Sequence, residues 1–243
     1  MILDVVVPAR GGSEGLPGKN ARFLVDRPLI LHSVACGQMV SGVRSVLVST
    51  DDSELASLAR ANGALVPELR PAELATSSTP MADVIRYAST LLASETRTAP
   101  DFIALLDPTS PLREPKWLES AVSLLSARDD AVGVVGVSTP SFNPLWVGVD
   151  VNESGVLSRS DFSRFSYLRR QDVPPFKRIT GGLYLWRFGF AASLTPSWLV
   201  DGAHLALETP DLMSHSIDTL EDFQLVALLL ESGTVKLPWM RRV

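Results

Sequence analysis

Apolar residues along this 243-residue chain follow two alternating rhythms. Mostly apolar runs rich in β-branched residues occupy 2–7, 43–48, 102–106 and 131–138, with the length and composition of buried strands. The first is interrupted by Asp4 alone. Between the runs, apolar residues recur at helical spacing, as with Leu29, Ile30, Val34 and Met39 in 28–39, and further helices are predicted over 53–62, 81–92, 115–126 and 220–231. Residues 64–69 and 181–186 read as two more strands. Strands and helices alternating at this spacing predict an α/β fold, doubly wound around a mostly parallel sheet.

Local residues mark where these elements end. Ser49, Thr50, Asp51 and Asp52 follow the second strand, where side-chain oxygens suit a helix cap, and capping is preferred to catalysis for the acidic pair. Gly63 stops the helix that follows, Pro115 suits a first helical turn, and Thr219 with Asp222 has capping-box spacing in a helix ended by Gly233. The rhythm fails between Pro140 and Lys177, where prolines stand at 140, 144, 174 and 175 beside scattered aromatics and Arg159, Arg164, Arg169 and Arg170, with Arg178 just beyond. Residues 1–243 therefore read as one domain carrying 140–178 as an insertion. Exposed aromatics and arginines there suit a dimerisation arm, against the plainer reading of a surface loop.

A formal charge of −5 without a Lys/Arg cluster argues against a nucleic-acid partner. No apolar stretch approaches the roughly 18 residues of a membrane span, and Asp4 and Arg10 do not fit a signal peptide, so a soluble, cytoplasmic protein is expected. The single cysteine, Cys36, reads as a buried small hydrophobe. His32, His204 and His215 lack metal-ligand spacing and read as structural.

Chemistry concentrates in two loops. PARGGSEGLPGKN (8–20) follows the first strand, at its carboxyl end, where open α/β sheets bind ligands. Gly11, Gly12, Gly15 and Gly18 allow sharp turns and bare N–H groups, with Arg10 and Lys19 as fixed cations, a combination suited to a polyphosphate. A Walker A motif is excluded because Ser13 and Asn20 stand where it needs a glycine and a Ser or Thr, and GGSEGLPG fits a dinucleotide fingerprint poorly. The second loop, DPTSPLR (107–113), follows another strand and shares the cleft.

Taken with STDD (49–52), RPAELA (70–75), LLDPTSPLR (105–113) and RQD (170–172), the glycine loop resembles the cytidylyltransferases that activate sialic acid and related 2-keto sugar acids, over nearly the whole chain. The resemblance implies a three-layer, Rossmann-like nucleotidyltransferase fold, a homodimer, and a CTP triphosphate held by the glycine loop and Mg²⁺ while the acceptor's anomeric hydroxyl attacks the α-phosphate. It carries phosphate and nucleotide contacts to Arg10, Gly11, Gly12, Ser13, Lys19 and Asn20, cytosine-side contacts to Arg70 and Thr79, and acceptor-side contacts to Thr109 and Tyr184. Arg170 and Arg178 keep the spacing of two arginines that reach the site from the arm. Arg10, Lys19 and Asp218 are the catalytic candidates.

The chain also departs from that pattern. Glu14 replaces a lysine, Asp107 a glutamine, and Ser216-Ile217-Asp218 an Asp-x-Asp metal pair; Thr180 and Ser77 are smaller changes. In one reading Asp218, with Glu14 or Asp107, rebuilds the Mg²⁺ site. In the other, Glu14 opposes the triphosphate, at about 4 kcal/mol for unit charges 4 Å apart at an effective dielectric near 20, and the chain is a nucleotide-binding relative without transfer. Asp107 only accepts hydrogen bonds and attracts cations, which predicts an acceptor unlike ordinary sialic acid near that side chain, such as an amino sugar acid or a non-sugar acid. A different nucleotide or a phosphonate acceptor is a further alternative. His215, beside the metal segment, is a weak candidate.

Overall fold

The computed structural model describes residues 1–12, 15–159, 167 and 169–240. Its strands are β1 (Leu3–Pro8), β2 (Phe23–Leu24), β3 (Arg27–Pro28), β4 (Val43–Ser49), β5 (Phe102–Leu105), β6 (Gly133–Ser138), β7 (Val149–Val151), β8 (Leu157–Arg159), β9 (Arg178–Arg187) and β10 (His204–Glu208). The helices are α1 (Leu29–Met39), α2 (Ser53–Ala61), α3 (Met81–Thr96), α4 (Pro115–Ser126), α5 (Pro144–Val147), α6 (Phe188–Ala191) and α7 (Leu220–Glu231).

Six strands form one sheet in the order β10-β6-β9-β5-β1-β4. The pairs β1·β4, β1·β5 and β6·β10 are parallel, while β9 runs antiparallel to both β5 and β6. The expected mostly parallel α/β sheet is present, with one reversed strand inside it. Because side chains alternate across a strand, Val5 and Val7 of β1 join a core with α1, α2 and α4, and Val6 joins the opposite core with α3 and α6. A third cluster gathers Leu16, Leu24, Leu112, Ile217 and Val226 between α7 and the loops of the ligand side.

Asp4, the one polar residue in the first apolar run, is fully buried and paired with Arg44 of the neighbouring β4, whose Nε donates to Oδ1 at 3.1 Å. The pairing supplies the counter-charge that a buried carboxylate needs.

Three expectations are corrected. Residues 64–69 form no strand but a single parallel bridge from Leu65 to Leu47, since Pro67 has no N–H to extend the ladder. The helix predicted over 81–92 continues to Thr96, where Arg97 adopts a left-handed φ of 54°. A strand not predicted, β10, closes the far edge of the sheet. After Pro140 the chain builds a separate two-stranded sheet, β7 with β8.

Candidate functional site

The carboxyl ends of β4, β1 and β5 lie side by side, and a cleft of ≈ 400 Å³ opens over them. One wall comes from the glycine loop and Asp218, through Arg10, Gly15, Lys19 and Asn20; the second from Arg70, Thr76, Ser77 and Thr79; the third from Asp107 and Thr109. The two polar loops thus meet in one cleft.

Backbone and acidic groups fix the glycine loop. Ala9 N donates to the Ser49 carbonyl at 2.9 Å and Gly11 N to Asp51 Oδ1 at 3.0 Å. Asp52 caps α2, accepting from the amides of Glu54 (2.8 Å) and Leu55 (3.1 Å). Capping therefore accounts for Asp52, while Asp51 anchors the loop, a role missed in the sequence. Gly18 takes a left-handed φ of 65° that starts the turn Lys19–Ala21. At Gly15 a Cβ would fall closer than 3.0 Å to the Asp218 carbonyl oxygen, so the two segments meet only because that side chain is absent. Gly12 lies in open space in the same loop. Ser13 and Glu14 lie outside the described residues.

Charge at the cleft is mainly positive on the loop side. The Lys19 ammonium donates to the Ile217 carbonyl at 2.8 Å and lies 3.2 Å from Asp218 Oδ1. Asn20 is buried; its Nδ2 donates to the Arg10 carbonyl at 3.2 Å and its Oδ1 has no partner among the described residues. Arg70 is 6% exposed, and its Nε and Nη2 likewise have none. Burial lowers the Arg70 pKa, Asp51 opposes that shift, and Arg10 adds to it. A desolvated guanidinium with spare donors is poised for a polar ligand, because leaving it unpaired is costly.

On the opposite wall Asp107 Oδ1 accepts from both the amide and the hydroxyl of Thr109, each at 2.9 Å. Ser216 Oγ lies 3.2 Å from Thr109 Oγ1 and 3.4 Å from Asp218 Oδ2, so this hydroxyl stands between the Thr109–Asp107 pair and Asp218 and donates to one of them at a time. No sequence signal marked this contact. Thr79 Oγ1 contacts Thr76 Oγ1 at 2.7 Å and the Glu73 carbonyl at 3.2 Å.

Three acceptor-side candidates stand outside the cleft lining. Tyr184 stacks on Trp186; burial, then the charge of Asp107, pushes its pKa up to about 12. Arg178 bonds Asp211 at 2.8 Å. Arg170 lies in the arm, beside a separate ≈ 380 Å³ cavity with Phe142, Trp146 and Phe176. Among the described residues no group of three His, Cys, Asp or Glu side chains is arranged to hold a metal.

His32, His204 and the cysteine are structural. His32 is buried, accepts from Trp239 Nε1 at 3.1 Å and meets the Leu24 carbonyl at 3.0 Å; burial lowers its pKa to about 4. His204 accepts from Trp186 Nε1 at 3.1 Å. Cys36 is buried, which pushes its pKa up to about 12.

A mostly parallel sheet with a glycine loop after β1 and a cationic cleft at its carboxyl edge is the architecture of a nucleotide-binding α/β protein. The solved structure of CMP:2-keto-3-deoxy-manno-octonic acid synthetase complexed with CTP shares this fold at a TM-score of 0.69 and 20% identity, with 96% of this chain and 100% of that one covered. In sequence, the chain is 34% identical to the CMP-N,N'-diacetyllegionaminic acid synthase of Legionella pneumophila, covering 76% of this chain and 78% of the relative. It is 32% identical to an N-acylneuraminate cytidylyltransferase of Escherichia coli, over 69% of this chain but only 38% of that longer protein. The family model for cytidylyltransferases matches residues 5–182. The chain belongs to the cytidylyltransferase family.

Proposed function

We propose that this protein transfers CMP from CTP to an acidic, sialic-acid-like 2-keto sugar acid and releases pyrophosphate. The observation that carries this reading is Arg70, a buried guanidinium with unpartnered donors in the cleft that Arg10 and Lys19 also line. Arg10, Lys19 and the loop amides face the triphosphate, Arg70, Asn20 and Thr79 the nucleoside, and Asp107 and Thr109 the acceptor. The acceptor hydroxyl oxygen forms the new bond to the α-phosphorus and gives up its proton to solvent, the bond from the α-phosphorus to the oxygen bridging it to the β-phosphate breaks, and pyrophosphate departs with that electron pair. Catalysis in such a displacement is mainly positioning and charge neutralisation, which Lys19 and Arg10 supply.

The family relationship implies Mg²⁺. A hard cation bound through phosphate oxygens and waters needs only one or two carboxylates, and Asp218 and Asp107 line the same cleft, so the donor chemistry fits. Mg²⁺ would supply charge neutralisation on the phosphates. Glu14 is a third proposed donor.

The reading extends to a single-domain, cytoplasmic homodimer, with Arg170 and Arg178 serving the partner's site. The arm exposes Phe142, Val149, Val151 and Leu157, apolar surface suited to burial by a second copy. Among the described residues no helix is long and apolar enough to cross a membrane.

Pyrophosphate release, measured with each nucleoside triphosphate across neuraminic, legionaminic, octulosonic, amino-bearing and phosphonate acceptors, tests the reading. CTP-specific release with a nine-carbon sugar acid is expected. Tight CTP binding without release for any acceptor would overturn transfer in favour of a binding relative. Loss of both activity and Mg²⁺ affinity in Glu14→Lys supports the rebuilt metal site, whereas a gain of activity rejects it.

A further inference from the structure

Arg113 is 2% exposed, yet its hydrogen bonds go to main-chain oxygens. Nε donates to the Ser110 carbonyl at 2.9 Å, and Nη2 donates to the carbonyls of Asp107 and Ser110. Nη1 has no hydrogen-bond partner among the described residues. Burying a guanidinium against neutral carbonyls is a costly way to stabilise a core, and a hydrophobic side chain of similar volume would fill the space more cheaply. What the guanidinium does supply is direction, since its rigid planar fork holds several oxygens at set angles.

The oxygens it holds belong to the loop that forms the acceptor wall. Asp107 and Thr109 of that loop line the cleft, and Thr109 is closed onto Asp107 Oδ1 through both its amide and its hydroxyl. The loop is also tied to the far wall, because Ile217 N donates to the Thr109 carbonyl at 2.7 Å, immediately before Asp218. The grip of Arg113 is thus transmitted by short polar contacts to Asp107 and Asp218, although its own side chain is sealed from the cleft.

We propose that Arg113 is a positioning residue for the acceptor: its fork on the Asp107 and Ser110 carbonyls sets the angle at which Asp107 and Thr109 face the bound sugar acid. The proposal rests on the transferase reading above. Lysine at this position keeps the charge but offers no planar fork, and glutamine keeps a planar donor without the charge.

The test compares wild type, Arg113→Lys and Arg113→Gln as full chains, by amide hydrogen exchange and by steady-state kinetics with CTP and the best acceptor of the panel. Expected in Arg113→Lys is exchange about tenfold faster in 107–110 and at Ile217 with β1 unchanged. An acceptor KM about tenfold higher is expected beside a CTP KM within about twofold of wild type. Unchanged exchange in 107–110, an equal rise of both KM values, or failure of both variants to fold would overturn the positioning role. If wild type turns over no acceptor, the transferase reading fails, and the exchange measurement still decides whether Arg113 holds the loop.

Discussion

The Lys19 ammonium lies 3.2 Å from the carboxylate of Asp218, 199 positions further along the chain, and closes the phosphate loop against the segment before α7. The pair adds little stability, because Asp218 is largely exposed and exposed ion pairs contribute little. Asp218→Asn is expected to raise the Mg²⁺ concentration for half-maximal activity by about tenfold or more while leaving the melting temperature nearly unchanged. Metal titration with calorimetry on the same preparation checks both halves. An unchanged Mg²⁺ requirement would remove Asp218 from the metal.

Gly15→Ala is expected to be far more damaging than its size suggests. The added methyl meets a backbone oxygen, Asp218 O, which cannot swing away as a side chain would. Activity should fall by about a hundredfold through misplacement of the loop, while the main sheet still melts cooperatively. Wild-type activity in this variant would show that the loop and the Asp218 segment part freely.

Arg70 should show opposite effects on stability and binding. Replacing a buried, unpartnered guanidinium by Met relieves a desolvation cost, so Arg70→Met is expected to leave the ligand-free protein as stable or more stable, by about 1 kcal/mol. The same change should weaken CTP by about a hundredfold, the loss of a charge-assisted contact in a desolvated site. Thermal melting and CTP calorimetry read the two effects separately; a less stable variant with normal CTP affinity contradicts the assignment.

His32 gives the protein an acid limit. Its folded pKa of about 4 lies below the ordinary 6.5, so the unfolded chain binds the extra proton first and folding weakens as pH falls between those values. The stability that the neutral ring contributes is complete above about pH 6.5, and up to about 3 kcal/mol is lost on reaching pH 4. Urea unfolding at several pH values should show this slope in wild type and a flatter one in His32→Gln. Equal slopes would rule His32 out as the cause.

How legible each part was follows from the range of the forces involved. β1, β5 and β6 were readable because interior strands buried on both faces are almost wholly apolar, β4 because its second half, Val46 to Ser49, is buried although it lies at the edge, and the capping of α2 and α7 was readable because caps are local. β10 was hidden because an edge strand, HLALE, is only partly covered. The reversal of β9 depends on pairing with strands far away in sequence, which no local pattern records. In the cleft, Arg10, Lys19, Asn20, Arg70, Thr79, Asp107, Thr109 and Asp218 were all named from motif positions and all line one cavity. The burial of Arg70 beside Pro71, the clamp from Asp51, the contacts of the Ser216 hydroxyl and the grip of Arg113 are tertiary and had no local signature.

The reversed strand has one more consequence. Ser138, the last residue of β6, pairs with Arg178, the first of β9, so the excursion between them departs from and returns to the same rim of the sheet. That rim is the one on which β1 and β5 also end. A segment hung from two adjacent points can lengthen, shorten or change its contacts without shifting the register of any strand. The surface that this segment presents can therefore diverge quickly while the nucleotide cradle beside it stays fixed.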